Sequence, residues 1–320
     1  MMGDRIFLSI DESRSAFYRW SGDRLAQVAI ERRGEESPVG AVVLGRVIKL
    51  EPSLNAAFVE IGLDRPGLLP LKKQGRSPSE GDAIIVQVRR DAREEKGVRL
   101  TTSLRTKVNA EEAARGKQPP AILVPAPTLW QQALESLAPE QVESITCDRR
   151  VDVAAIEEWC GRHHPGLVGR TGFLARRDWI PSCADIADAV AEALNETVQL
   201  PGGGQLLIEP VRTLTAIDVN SAGAVAERGL ERTALAVNLA AAREIPRQLA
   251  LRNIGGTIVI DFIDLENRNK REQVLAALRE AVGIDPAIEW VGNMSRLGLV
   301  ELSRRRTGRT LAEMWRGGDA

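Results

Sequence analysis

Two stretches of the chain depart from ordinary strand composition in the same way. Residues 213–221 (TLTAIDVNS) and 257–264 (TIVIDFID) are short β-branched runs that read as strands buried on both faces, and each ends in a carboxylate. Packing alone gives a buried strand no reason to end in Asp. If the two strands are neighbours, Asp218 and Asp261 stand together at the rim of one sheet as hard oxygen ligands suited to a magnesium ion. Asp is also common as a turn or cap residue after a strand, so the residue types by themselves leave both readings open.

The pattern on either side supplies the frame. Residues 5–10, 15–20 and 24–30 alternate as a three-stranded meander with turns at 11–13 and 21–23, and residues 33–38 form a charged connector. Residues 39–105 contain five short strands with glycine-rich turns, which predicts a small closed barrel of the OB class. Such barrels grip single strands with aromatic platforms and nearby cations. Phe58 is the only aromatic in this stretch, and on composition it reads as core; Lys72, Lys73, Arg89, Arg90 and Lys96 supply charge. Residues 107–127 read as a linker with at most a short helix.

Beyond the linker, helix and strand alternate. Helices are expected at 128–137, 151–163 and 185–197, with a strand at 142–148. His163 and His164 have no Cys or acid at ligand spacing and read as a surface pair at a helix end. Gly202, Gly203 and Gly204 lack the GK[ST] that a phosphate cradle requires and read as a hairpin loop. Residues 205–220 pair as a hairpin. A long helix at 230–252 should kink or split near 242–244, because Pro246 interrupts it. A helix at 268–282 and a strand at 287–295 follow. Arg304, Arg305, Arg306 and Arg309 form the densest positive run, open between a solvated tail and a phosphate contact.

Composition narrows the function classes. The 320 residues are 43% hydrophobic and 27% charged, ordinary for a globular chain, and the formal net charge of −1 confines any nucleic-acid contact to local patches. Three cysteines (Cys147, Cys160, Cys183) without metal-type spacing fit a reducing cytoplasm. Charges within the first apolar run argue against a signal peptide, and no run of 18 apolar residues offers a membrane span. A cytoplasmic protein without membrane partners is expected.

The sequence resembles the ribonuclease E/G family of bacterial endoribonucleases. The matching stretches are LTAIDVNSA (214–222), LALRNIGGTIVIDFIDL (249–265), SRLGLVELSRRR (295–306) and VQLPGGG (198–204). The barrel segment matches through RVIKLEPSLNAAFVEIGLDRPGLLPLK (46–72) and EKGVRLTT (95–102). The resemblance implies an α/β (α+β) fold in which an RNase H-like subdomain (1–36 and 129–194) carries an inserted S1-type OB barrel (37–105). A linker at 106–128 stands where the 5′-sensor would be, and a DNase I-like catalytic subdomain follows (195–320). It implies that Asp218 and Asp261 hold Mg²⁺, with Mn²⁺ as the alternative ion, and that Asn220 orients the attacking water or the scissile phosphate. Phe58, Lys96, Arg304 and Arg305 would contact RNA, and Asp264 would act only indirectly.

Departures from the family pattern shape the expectation. Gly169–Arg170–Thr171–Gly172 resembles the sensor's Arg–Thr pair, but its setting assigns it to the RNase H-like segment, so no 5′-monophosphate sensor is expected. No Cys-x-x-Cys pair occurs, so no structural zinc is expected. Leu68 replaces a second aromatic platform. The expectation is a Mg²⁺-dependent endoribonuclease that cuts single-stranded RNA to 5′-phosphate products in RNA processing or decay, with a homodimer through the catalytic subdomain. The alternative is a non-catalytic RNA-binding protein on the same fold.

Overall fold

The computed structural model describes residues 3–71, 77–92, 97–105, 108–175, 178, 182–221, 229–283 and 285–315. Residues 31–134 form one compact unit, and residues 1–30 with 135–320 form another.

The chain opens with the expected meander, β1 (Asp4–Ile10), β2 (Arg14–Ser21) and β3 (Arg24–Arg32). The 31–134 unit then builds a barrel from β4 (Val42–Glu51), β5 (Ala56–Glu60), β6 (Gly67–Pro70), β7 (Ala83–Arg90) and β8 (Arg99–Thr101). Pairing runs β4–β5–β6–β8–β7 and returns to β4, so the five strands close and leave no open edge among themselves. Val43, Val47, Val59, Val86 and Leu100 fill the interior. The interval read as an unpatterned linker holds α1 (Ala110–Ala114), capped by Asn109, and a strand, β9 (Ala121–Val124), that pairs with β4. Its short AILV run lies too close to the prolines on both sides to show a periodicity. Helix α2 (Leu129–Glu135) closes this stretch.

Back in the discontinuous unit, β10 (Val142–Cys147) pairs parallel to β1, and after α3 (Arg150–His163), β11 (Thr171–Phe173) pairs parallel to β10. The first sheet has the order β11–β10–β1–β2–β3. Ile186 and Val190 of α4 (Ser182–Leu194) pack against Phe7, Tyr18 and Val28 on one face of it.

The second sheet carries the two carboxylate strands. Its order is β12 (Thr197–Gln199), β13 (Gln205–Pro210), β14 (Thr215–Asn220), β15 (Gly256–Asp261), β17 (Leu299–Arg304) and β16 (Ile288–Val291). The glycine run turns the β12–β13 hairpin as expected, with all three glycines at positive φ. Strands β14 and β15 are parallel and are joined by α5 (Leu230–Leu251), the crossover that a parallel pair requires. Helix α6 (Arg268–Val282) leads to β16, and α7 (Leu311–Met314) starts at a Thr310–Glu313 capping box.

Two expectations are corrected here. The carboxylate strands are buried on one face only: Ile217, Val219, Ile258 and Ile260 enter the core with residues of α5 and α6, while Ala216, Asp218 and Val259 are only partly covered. Helix α5 runs unbroken through Pro246. The missing N–H costs one helical bond, but Ala241, Ala242, Ile245 and Leu249 on both sides of the proline lie fully buried in the same core. Packing holds both halves in line.

Candidate active site and nucleic-acid face

Alternation along β14 sets which side chains reach the site. With Ile217 and Val219 in the core, Asp218 and Asn220 emerge together on the opposite face. The register pairs Asp218 directly with Asp261, the last residue of β15. Asn220 Nδ2 donates to Asp218 Oδ2 at 2.6 Å, which fixes the rotation of that carboxylate. With Asp264 and Leu297 these residues line an open cleft of about 370 Å³. The loop on its far side is held close to the strand end: an added Cβ at Gly298, which has φ +82°, would lie 2.9 Å from the Phe262 carbonyl oxygen. A glycine is needed there.

The described residues lining the cleft include no lysine or arginine. Asp261 titrates above the usual aspartate range, through partial burial first, then the neighbouring charges of Asp218 and Asp264. Carboxylates with no lysine or arginine among the described lining residues, together with an amide, make a hard-oxygen site of the sort that holds magnesium, an ion that keeps several of its waters and takes only one or two carboxylates. Among the described residues no group of three or more His, Cys, Asp or Glu could by itself hold an ion. The donor set therefore fits an open two-carboxylate site better than a closed cage.

The arginine run lies elsewhere. Strand β17 is antiparallel to β15 with Leu299 opposite Asp261 and Arg304 opposite Gly256, so Arg304 is about 17 Å along the strand from the carboxylates at ~3.4 Å per residue. Arg304 is 6% exposed: its Nε donates to Asp285 at 2.7 Å and its Nη1 to the Ile254 carbonyl at 2.8 Å. Arg304, expected to contact RNA, thus has its guanidinium buried and paired within the fold. Arg306 packs against Gly255, where an added Cβ would fall 2.8 Å from the Arg306 Cα, and donates to the Gly255 carbonyl. Arg305 is exposed at the same end of the sheet, away from the carboxylates.

On the barrel, Ala57 and Val59 point inward, and Phe58 between them lies half-buried on the outer face rather than in the core. Cross-strand register then reveals neighbours that spacing in sequence concealed. Lys49 stands opposite Phe58, Phe58 opposite Leu68, Leu68 opposite Arg99, and Arg99 opposite Arg90. The result is an outward row of two apolar side chains flanked by cations. Lys96, together with Lys72 and Lys73, lies outside the described residues.

Other candidates are absorbed by structure. Arg170 donates to the Pro139 and Val142 carbonyls, and Thr171 begins β11. His163 stacks on Trp159 at the end of α3, with ring centroids 4.9 Å apart. Burial pushes the Cys147 and Cys160 thiols up to about 11.

A mixed α/β protein with an inserted five-stranded barrel and a paired-carboxylate cleft is the class that fold and site define. Within that class, the chain belongs to the Ribonuclease E/G family, whose sequence profile matches residues 71–307. Ribonuclease G of Escherichia coli (strain K12) is 27% identical to it, over 92% of this chain and 78% of that protein. Ribonuclease E of Haemophilus influenzae is 29% identical over 91% of this chain and 40% of that protein; the Escherichia coli K12 ribonuclease E is 30% identical over 91% and 36%. These alignments extend over 383, 377 and 383 residues, more than the 320 of this chain, so within the matched span the relatives carry segments that it lacks.

Proposed function

We propose that this chain is a divalent-metal-dependent endoribonuclease acting on single-stranded RNA and leaving 5′-phosphate ends. The observation that carries the reading is the register pairing of Asp218 with Asp261 beside Asn220, in a cleft without a lysine or arginine among its described residues. Asp218 and Asp261 would hold Mg²⁺, or Mn²⁺ in its place. When bound, such an ion offsets charge on the phosphoryl oxygens and favours ionisation of water. Asn220 orients the Asp218 carboxylate and presents an amide to the scissile phosphate.

The barrel row of Lys49, Phe58, Leu68, Arg99 and Arg90 supports reading residues 37–105 as an S1-type RNA-binding domain, with the apolar pair stacking on bases and the cations following the backbone. A meander continued by two parallel strands about a helix supports an RNase H-like subdomain from 1–36 and 129–194. The β14–α5–β15 unit supports a DNase I-like catalytic subdomain from 195 onward. RNA processing or decay in the cytoplasm, and a homodimer through the catalytic subdomain, complete the proposal.

The test is incubation of the purified chain with 5′-phosphorylated and 5′-hydroxyl fluorescent oligoribonucleotides, with and without Mg²⁺. Mg²⁺-dependent internal cleavage that disappears in Asp218→Asn and Asp261→Asn supports the reading. Equal cutting of the two substrates would show that 5′ ends go unsensed. The second reading, an RNA-binding protein without catalysis, draws on the outward row of Phe58, Leu68 and cations on the barrel, which would grip a strand whether or not it is cut; tight gel-shift binding without any Mg²⁺-dependent product would establish it over the first.

A further inference from the structure

The strand that delivers Asp261 runs into a loop whose backbone is held by side chains from the two helices behind it. Asn238, in the middle of α5, is wholly buried. Its Nδ2 donates to the Ile263 carbonyl at 2.8 Å, and its Oδ1 accepts from the Ile263 N–H at 3.0 Å. One side chain thus satisfies both backbone polar groups of Ile263, one of the two residues between Asp261 and Asp264, as a neighbouring strand would. The far end of the loop is anchored from the same helix: a Glu231 carboxylate oxygen accepts from the Asn267 N–H at 3.1 Å, while its other oxygen accepts from Lys270 Nζ at 2.8 Å. Arg271 of α6 donates to the Leu265 carbonyl between these points.

A buried amide amid Val237, Ala241 and Ala242 is costly unless it is paired, and an apolar residue would fill this core position more favourably. The two-way bond to Ile263 accounts for its presence. We propose that Asn238, with Glu231 as the outer anchor, is a positioning residue that sets where the Asp261 and Asp264 carboxylates stand in the cleft. This rests on the reading of Asp218 and Asp261 as the metal-holding pair. Loosening the loop leaves both carboxylates present but no longer convergent, so the loss should appear in metal affinity and turnover rather than in the grip on RNA.

The experiment uses the full chain. Mn²⁺ binding is measured by electron paramagnetic resonance without RNA, RNA binding by gel shift in chelator, and cleavage as kcat and KM against Mg²⁺ concentration. Asn238→Ala is expected to weaken Mn²⁺ binding about tenfold, as is typical when a group that orients a metal ligand is removed, with chelator-condition RNA binding unchanged. Asn253→Ala serves as a control: its amide holds the Arg309 carbonyl and accepts from Arg304 near the opposite end of β15, so it should lower stability and keep Mn²⁺ affinity. Should Asn238→Ala not fold, the more exposed Glu231→Gln carries the test, and weaker Mn²⁺ binding in it supports the clamp. Unchanged Mn²⁺ affinity in whichever variant folds, or an equal loss in Asn253→Ala, overturns it. Asp261→Asn, run in parallel, separates the two claims. If it keeps Mn²⁺ binding and cleavage, the metal pair itself is misassigned; if it loses both while the clamp variants do not, only the clamp falls.

Discussion

Asp218 and Asp261 are paired residues of adjacent parallel strands, so two like charges stand side by side on one face of the second sheet. Such an arrangement opposes folding unless something of opposite charge joins it, which is the usual compromise between stability and activity at a functional site. Replacing either with Asn should reduce cleavage by at least about 10²-fold, the order lost when one group that stabilises charge at a reacting centre is removed. The same substitutions should raise the metal-free melting temperature, because they remove both the cost of partly burying a charged carboxylate, the larger cause of the raised Asp261 pKa, and the repulsion between Asp218 and Asp261 that adds to it. Calorimetry in chelator checks this; a lower melting temperature in both variants would refute it.

Phe58 should matter to RNA affinity rather than to folding, since it projects from the barrel between Lys49 and Leu68. Phe58→Ala is expected to cost about 1–3 kcal/mol of single-strand binding, roughly 5- to 150-fold in Kd. Leu68→Phe should tighten binding by adding a platform. Fluorescence anisotropy with a short oligoribonucleotide measures both.

Arg99 tests the electrostatic part of the same row. Arg99→Gln should weaken binding to all sequences alike and flatten the dependence of log Kd on log salt by about 0.7, the share of one phosphate contact on a single strand. A salt series on the two proteins decides it, and an unchanged slope would remove Arg99 from the interface.

Arg304 should behave as a structural residue. Cutting it to alanine leaves Asp285 without its charged partner, with the Ala287 N–H still donating to it, and breaking a buried pair typically costs about 3–5 kcal/mol. Urea denaturation of Arg304→Ala is expected to show that loss. A variant as stable as the parent but deficient in RNA binding would contradict the structure.

Glu244 predicts the acid limb of stability. Burial alone would raise its pKa, but hydrogen bonds from Arg247, Gln248 and Arg24 outweigh this and hold the carboxyl below its ordinary value of 4.5. A depressed folded pKa means that the contribution is complete above the unfolded value and is lost as pH falls through the folded one. Glu244→Gln should therefore cost about 3 kcal/mol near neutrality and progressively less below pH ~4. Parallel denaturation curves at pH 7 and pH 3.5 provide the check.

How much of this was legible in sequence varies with the distance over which the deciding contacts act. The meander, the barrel strands and the glycine hairpin rest on local alternation and turn chemistry, and they appear where the pattern places them. The two aspartates were visible because a carboxylate at the end of a β-branched run is locally odd, but their pairing is a matter of register between strands separated by α5. Pro246 misleads because its local cost is real while the core that absorbs it is assembled from distant residues. Arg304 misleads in the opposite way: a run of arginines looks solvated until Asp285 and Asn253 are brought to it. Phe58 could not be assigned to one face of its strand, because Ala56 and Ala57 are both buried and mask the alternation.

The first sheet also sets an order of events during synthesis. Strand β1 lies between β2 and β10, and Asp4 is paired with Val142. The barrel unit, by contrast, is contiguous from 31 to 134. As the chain emerges from the ribosome, the barrel can close while β1 still lacks its parallel neighbour β10, and Arg24 must wait for Glu244. The most N-terminal strands are thus among the last to be completed, and until then one flank of β1 presents unpaired backbone that a chaperone, or another nascent chain, could engage.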